Sequence, residues 1–187
     1  MYLAIPHQIA RRRPEITRLG NVRRLLTILA CLCVFLCLGA ERVSALSLAE
    51  LRADPNLTPE RFMKYFADFK FELGHEVQKP DSFLASQCGD CDDFATLAAD
   101  ILHEKGYSTR LIVVYMPHDA HVVCYVAETH SYLDYNCRKL ASPLVQCDGT
   151  LESIGAHVAE YFRTQWRSVS EFTFRNGARY FVNTVFH

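Results

Sequence analysis

Cys88 and Cys91 lie in the stretch "SQCGDCDDFATLAAD", Ser86 to Asp100, with Asp90, Asp92 and Asp93 around the second thiol. Two cysteines at this spacing can hold a metal, close a disulfide, or supply one nucleophile for attack on a carbonyl. Phe94, Leu97, Ala98, Ile101 and Leu102 repeat with helical spacing, and Cys91 stands three and seven residues before Phe94 and Ala98. The pattern predicts a helix with Cys91 on its first turn, on the side that faces the core. Unpaired amides and the positive end of the helix dipole favour a thiolate there. The three aspartates oppose a further anion, so a thiol reactive at neutral pH needs a cationic offset, either an imidazolium or a metal ion.

His121 opens the run "HVVCYVA", and Asp134 stands in the middle of "YLDYN". Paired antiparallel, the two strands are expected to present both side chains on the face that the Cys91 helix packs against. Cys, His and Asp in that order supply a nucleophile, a base and a group that orients the base. Gln87 and the backbone amide of Cys91 are candidate donors to an oxyanion, the amide being the expected one. Taken alone, a histidine in a valine-rich strand is ordinarily a core or edge residue, and an aspartate near a turn is ordinarily structural. Their coincidence with Cys91 raises both above that expectation. Two other uses of the thiols are weaker. Zinc held by Cys88, Cys91, His118 and His121 needs 26 residues between the ligand pairs, more than a finger spacing. A thioredoxin-type dithiol needs a buried strand leading into it, which "EVQKPDSFLASQ" is not.

The segment "GDCDDFATLAADILHEKGYSTRLIVVY" resembles the part of the transglutaminase-like superfamily in which a helix-opening cysteine is followed by an acidic residue, an aromatic and alanine. "AHVVCYV" and "YLDYN" are similar to that family's histidine and aspartate strands, and the resemblance runs from Pro80 to Asn136. Within the superfamily, "GDCDD" is most similar to the bacterial transglutaminase-like cysteine proteinases, exported enzymes that cut surface proteins. The resemblance implies an α+β, papain/transglutaminase-like core with the cysteine helix packed on an antiparallel sheet. It also implies Cys91 as nucleophile, His121 as general base and Asp134 as orienting acid, acting on amide bonds of a cell-envelope or surface protein. Calcium held by Asp90 and Asp92 is implied as well; hard carboxylate oxygens suit that ion, and its charge would offset theirs. Val122 stands where the family often has tryptophan, and Cys88 is an extra thiol able to pair with Cys91. Hydrolysis and transfer to an amine share one thioester. A non-catalytic binding domain of the same fold is the alternative from a different class.

The remaining elements follow from periodicity. Thr58-Pro59 caps a helix whose buried face is Phe62, Tyr65, Phe66 and Phe69. "GHEVQKPDS", Gly74 to Ser82, reads as a surface loop, and Gly106 ends the cysteine helix. Tyr107 to Tyr115, "HVVCYVA" and "YLDYN" form a meander; Ile154, Val158, Tyr161, Phe162 and Trp166 suggest a late helix; "FTFRNGARYFV" is a hairpin around Asn176-Gly177. This order predicts an α+β domain. Cys124 points away from His121 as a small core residue, and Cys137 and Cys147, flanking "RKLASPLVQ", are expected to form a disulfide.

With 187 residues, half of them hydrophobic, the chain closes one core. An arginine-rich leader precedes the uncharged run Leu25 to Ala40, and "VSA" at Val43 to Ala45 reads as a signal peptidase site. The expectation is a domain of residues 46–187 in the periplasm or outside the cell, with an uncleaved membrane anchor as the alternative. Loss of seven arginines and two glutamates leaves 13 basic and 19 acidic groups, net −6, which argues against nucleic acid as a partner. Five cysteines then remain, so an oxidising compartment leaves at least one without a partner in the chain.

Overall fold

Ser47 and Thr58 start the first two helices by accepting backbone N–H groups of the turn that follows. Helix α1, Leu48–Ala53, has a full capping box with Glu50, and α2, Pro59–Tyr65, carries proline at its first position. The computed structural model describes residues 46–175 and 178–187. The leader, its cleavage point after Ala45 and the Asn176-Gly177 turn lie outside the described residues. Residues Ala45–His187 form one compact unit. Helix α2 ends before Phe66 and Phe69, yet both continue its aromatic face into the core. Phe66 meets Phe62 at 4.8 Å, Phe94 at 5.2 Å and Phe83 at 5.7 Å between ring centroids. Such ring pairs add stability beyond the area they bury.

The segment read as a loop contains the start of a helix, α3, Pro80–Ser86. Pro80 is a helix starter rather than a breaker, because a missing N–H costs nothing in the first turn. Phe83 and Leu84 bury the inner side of α3. Gln87 ends it in the left-handed conformation, and the chain enters a short parallel ribbon of β1, Lys70–Phe71, with β2, Cys88–Gly89. Gly89 is required by space. A Cβ there would lie 2.8 Å from the Phe83 ring and also collide with the Asp93 carboxylate.

Helix α4, Cys91–Glu104, is the central helix and stops where Gly106 adopts a positive φ of 92°. It packs on a six-stranded antiparallel sheet of order β6-β5-β4-β3-β7-β8. The strands are β3 Thr109–Tyr115, β4 Ala120–Val126, β5 Ser131–Leu133, β6 Leu144–Gln146, β7 Ser168–Arg175 and β8 Ala178–Phe186. Strand alternation sorts the sheet into two faces. Leu111, Val113, Val122, Cys124 and Val126 meet α4. Ile112, Val114, Val123 and Tyr125 meet α5, Leu151–Tyr161, through Leu151, Ile154 and Val158. Trp166 lies beyond the end of α5 and still packs against this second cluster. The architecture is α+β.

Cys137 and Cys147 are free thiols, as are the other described cysteines, in place of the expected disulfide. Cys137 packs in the core on the α4 face and Cys147 against the cluster on the α5 face. Strand β6, between them, pairs with β5 and carries the chain to the other face.

Candidate active site

The aspartates around Cys91 first build the helix start that holds it. Asp90 Oδ1 accepts the N–H groups of Asp92 and Asp93 at 3.0 and 3.4 Å, and its Oδ2 accepts that of Gly74 at 2.9 Å. Asp93 closes the capping box by accepting the Asp90 N–H at 3.1 Å. Gln78 adds a clamp: its N–H and its amide nitrogen reach the two Asp93 oxygens at 2.6 and 2.8 Å, and the same amide donates to the Cys88 carbonyl at 3.0 Å. Cys91, 9 % exposed, is thereby fixed as the first residue of α4, where its own N–H belongs to the unpaired amides of the first turn.

His121 and Asp134 are both buried, with His121 Nε2 2.9 Å from Asp134 Oδ1. The same oxygen accepts the Asn136 N–H at 2.8 Å. Two expectations are corrected here. Asp134 is not in mid-strand: β5 ends at Leu133, and Asp134 caps the single 3-10 turn Tyr135–Cys137. Nor do His121 and Asp134 lie on the face that α4 covers. Alternation from Val122 and Leu133, both in the α4-side core, places them on the opposite face, and the His121 ring packs edge-on against Phe162 at 5.0 Å. Cys91 reaches them because His121 sits near the beginning of β4, and the first turn of α4 meets it at the sheet's end. With Nε2 on Asp134, ring Nδ1 is left to face the Cys91 thiol, which lines the same cleft and lies near enough to help raise the His121 pKa. Burial is the largest single influence on His121 and disfavours its charged form. The Asp134 carboxylate, by charge and hydrogen bond, and then Cys91 outweigh it, and His121 is pushed up to about 10.

Cys91 and His121 open onto one cleft of about 420 Å³, also lined by Phe71, Leu73, Asp119, Tyr161 and Phe162. Gln87 is not among its lining residues. The Cys88 thiol donates to Glu72 Oε2 at 2.9 Å, and His118 is exposed in the β3–β4 turn, so the four proposed zinc ligands do not converge. Cys124 is a buried core thiol pointing away from His121, as expected, but the face it occupies is the α4 side, and burial pushes its pKa up.

The expected calcium ligands are engaged by the protein itself. Asp90 accepts three backbone N–H groups, and Asp92 pairs with Arg179 of β8, whose guanidinium lies 5.2 Å from the Phe172 ring centroid. Burial raises the Asp92 pKa, with Arg179 pulling it the other way. A calcium ion takes six to eight oxygens. Among the described residues no group of three or more His, Cys, Asp or Glu side chains is arranged around a metal position, so the pair as arranged does not fit calcium. An ion at Asp92 has to displace Arg179. Arg179→Ala, which frees Asp92, is therefore expected to gain roughly 3 °C in Tm from millimolar calcium where the unaltered protein gains little. Equal shifts by differential scanning fluorimetry would show that Arg179 and calcium do not compete.

Arg179, Gln78, Phe71 and Leu73 escape a reading of the sequence. Arg179 lies 87 residues from its partner and Gln78 sits in an apparent loop. Only the Asn176-Gly177 hairpin signal hints that the Arg179 region folds back.

A model of the transglutaminase-like superfamily matches residues 52–177. Among solved structures, the chain is similar to LapG of Legionella pneumophila in its calcium-bound form, with 17 % identity and a TM-score of 0.45 over 71 % of this chain and 74 % of that one. The EGTA-treated form gives 17 % identity and a TM-score of 0.45 over 71 % and 72 %. No curated protein matches.

Proposed function

Starting from the chain's membership of the transglutaminase-like superfamily, we propose that it is an exported thiol peptidase that cleaves protein amide bonds through Cys91, His121 and Asp134. The observation that carries this reading is the buried His121–Asp134 pair opening onto the cleft that Cys91 also lines. Cys91 reacts as the thiolate with its proton already held on His121 Nδ1, and that thiolate attacks the substrate carbonyl. The Cys91 N–H, at the start of α4, faces the developing oxyanion. Imidazolium His121 passes its proton to the leaving amine, which departs as the thioester forms. Water, deprotonated by the same ring, then releases the acid and returns the thiol. Asp134 holds the ring in register and stabilises its charge throughout. Positioning and the charged histidine supply the chemistry from the chain's own residues. The arginine-rich start, the apolar run Leu25 to Ala40 and "VSA" support export, which would put the substrate among proteins of the cell envelope or exterior.

One experiment addresses both parts. Intact-mass analysis of the exported protein should give the mass of residues 46–187. Brief iodoacetamide treatment should add one carboxamidomethyl group, at Cys91, in step with loss of activity. A full-length mass found only in membranes would refute the cleaved form, and labelling of Cys91 without loss of turnover would refute the mechanism.

A further inference from the structure

Three of the large apolar side chains that remain exposed converge on the Cys91 cleft: Phe71 at 52 %, Leu73 at 78 % and Tyr161 at 53 %. Phe71 and Leu73 belong to a segment whose backbone is paired on one side only. The N–H groups of Lys70, Glu72 and Gly74 go to the Gln87 carbonyl, the Gly89 carbonyl and Asp90 Oδ2, each at 2.9 Å. In an extended chain N–H and C=O groups alternate in direction, so those of Phe71 and Leu73 point away from β2 along a free edge. Of the charged side chains that line the cleft, Asp119 is the one carboxylate, and no lysine or arginine joins it.

We propose that the acyl-donor segment of the substrate binds as an added strand along Phe71 to Leu73, with an apolar side chain on the acyl side of the attacked bond resting against Phe71, Leu73 and Tyr161. This deepens, and rests on, the assignment of Cys91 as nucleophile. Strand addition supplies affinity through the main chain, and the apolar patch supplies selectivity. The substrate must offer an unpaired extended stretch, so the class is a flexible, uncharged, apolar linker rather than a folded surface. Asp119, the one carboxylate lining the cleft, opposes a second acidic side chain there, and the charged His121 offsets its pull on a lysine.

The test is a panel of fluorogenic decapeptides carrying Leu, Phe, Lys or Asp at each of the four positions on the acyl side, assayed with the whole exported protein. At one position Leu and Phe are expected to exceed Lys and Asp by about tenfold in kcat/KM, the scale of one partly buried apolar side chain. Leu73→Asp, at an exposed site the fold tolerates, should cut that preference below about threefold, mainly through KM. N-methylation of the peptide amide facing the edge should lower kcat/KM by about tenfold, which side-chain contact alone does not produce. A flat panel, or a preference equal in Leu73→Asp, overturns this inference while Cys91-dependent turnover preserves the mechanism. No turnover above that of Cys91→Ala on any peptide or envelope protein overturns both.

Discussion

Replacement of Cys91 by alanine or serine is expected to abolish turnover, by at least about 10⁴-fold, while leaving the fold in place. Nothing else in the cleft can form the acyl intermediate, and a serine oxygen there is a far weaker nucleophile at neutral pH. The helix start does not depend on sulfur, because Asp90, Asp93 and Gln78 hold it through their own hydrogen bonds. Circular dichroism and Tm should therefore stay close to those of the unaltered protein. Cys88→Ala is the matched comparison: its thiol points to Glu72 and makes no bond to His121, so turnover under reducing conditions should persist. Equal losses in the two variants would return the pair to a shared dithiol or metal role, and an active Cys91→Ala enzyme would end the peptidase reading.

Asp134→Asn should lower kcat/KM by about 10² to 10⁴-fold and change its pH dependence. The carboxylate holds His121 charged up to about 10 against the cost of burial. A histidine pKa raised on folding stabilises the native state in full below its unfolded value near 6.5. That contribution fades as pH rises toward the folded value. Between about pH 6.5 and 10, then, the Tm of the unaltered protein should fall, while the Asn variant, lacking the charge that raises His121, should show a flatter profile. The alkaline limb of kcat/KM should move to lower pH in the same variant, since the imidazolium that protonates the leaving amine is lost earlier. Identical Tm and rate profiles in the two proteins would mean that Asp134 does not set the charge of His121.

These two variants probe the part of the molecule most legible in the sequence. Asp90 as a cap, the helical spacing from Phe94 to Leu102 and the terminal Gly106 are local signals, and the helix they predict is present. The order Cys91, His121, Asp134 brings the residues together through a short meander, where pairing follows from turn positions alone. Their sheet face did not follow, because a face depends on where each strand ends. A single step along the chain, from Leu133 to Asp134, separates strand from cap and sends neighbouring side chains to opposite sides. The unpredicted α3 has the same kind of cause, since Pro80 reads as a breaker unless it happens to be the first helical residue. Proximity in sequence also misleads for Cys137 and Cys147, which flank one loop yet pack against different layers. Arg179 and the Phe71–Leu73 edge are long-range products of folding, without a local pattern to announce them.

The Gln78 clamp ties the chain into a noncovalent ring. Its ends meet at Asp93, fifteen residues away, and α3 lies wholly inside it. A hinge at either end of α3 is therefore not free to open by itself: swinging the helix outward draws on the same knot that sets the first turn of α4. Moving α3 outward therefore works against the hydrogen bonds that fix the start of α4, although no residue of α3 lines the cleft.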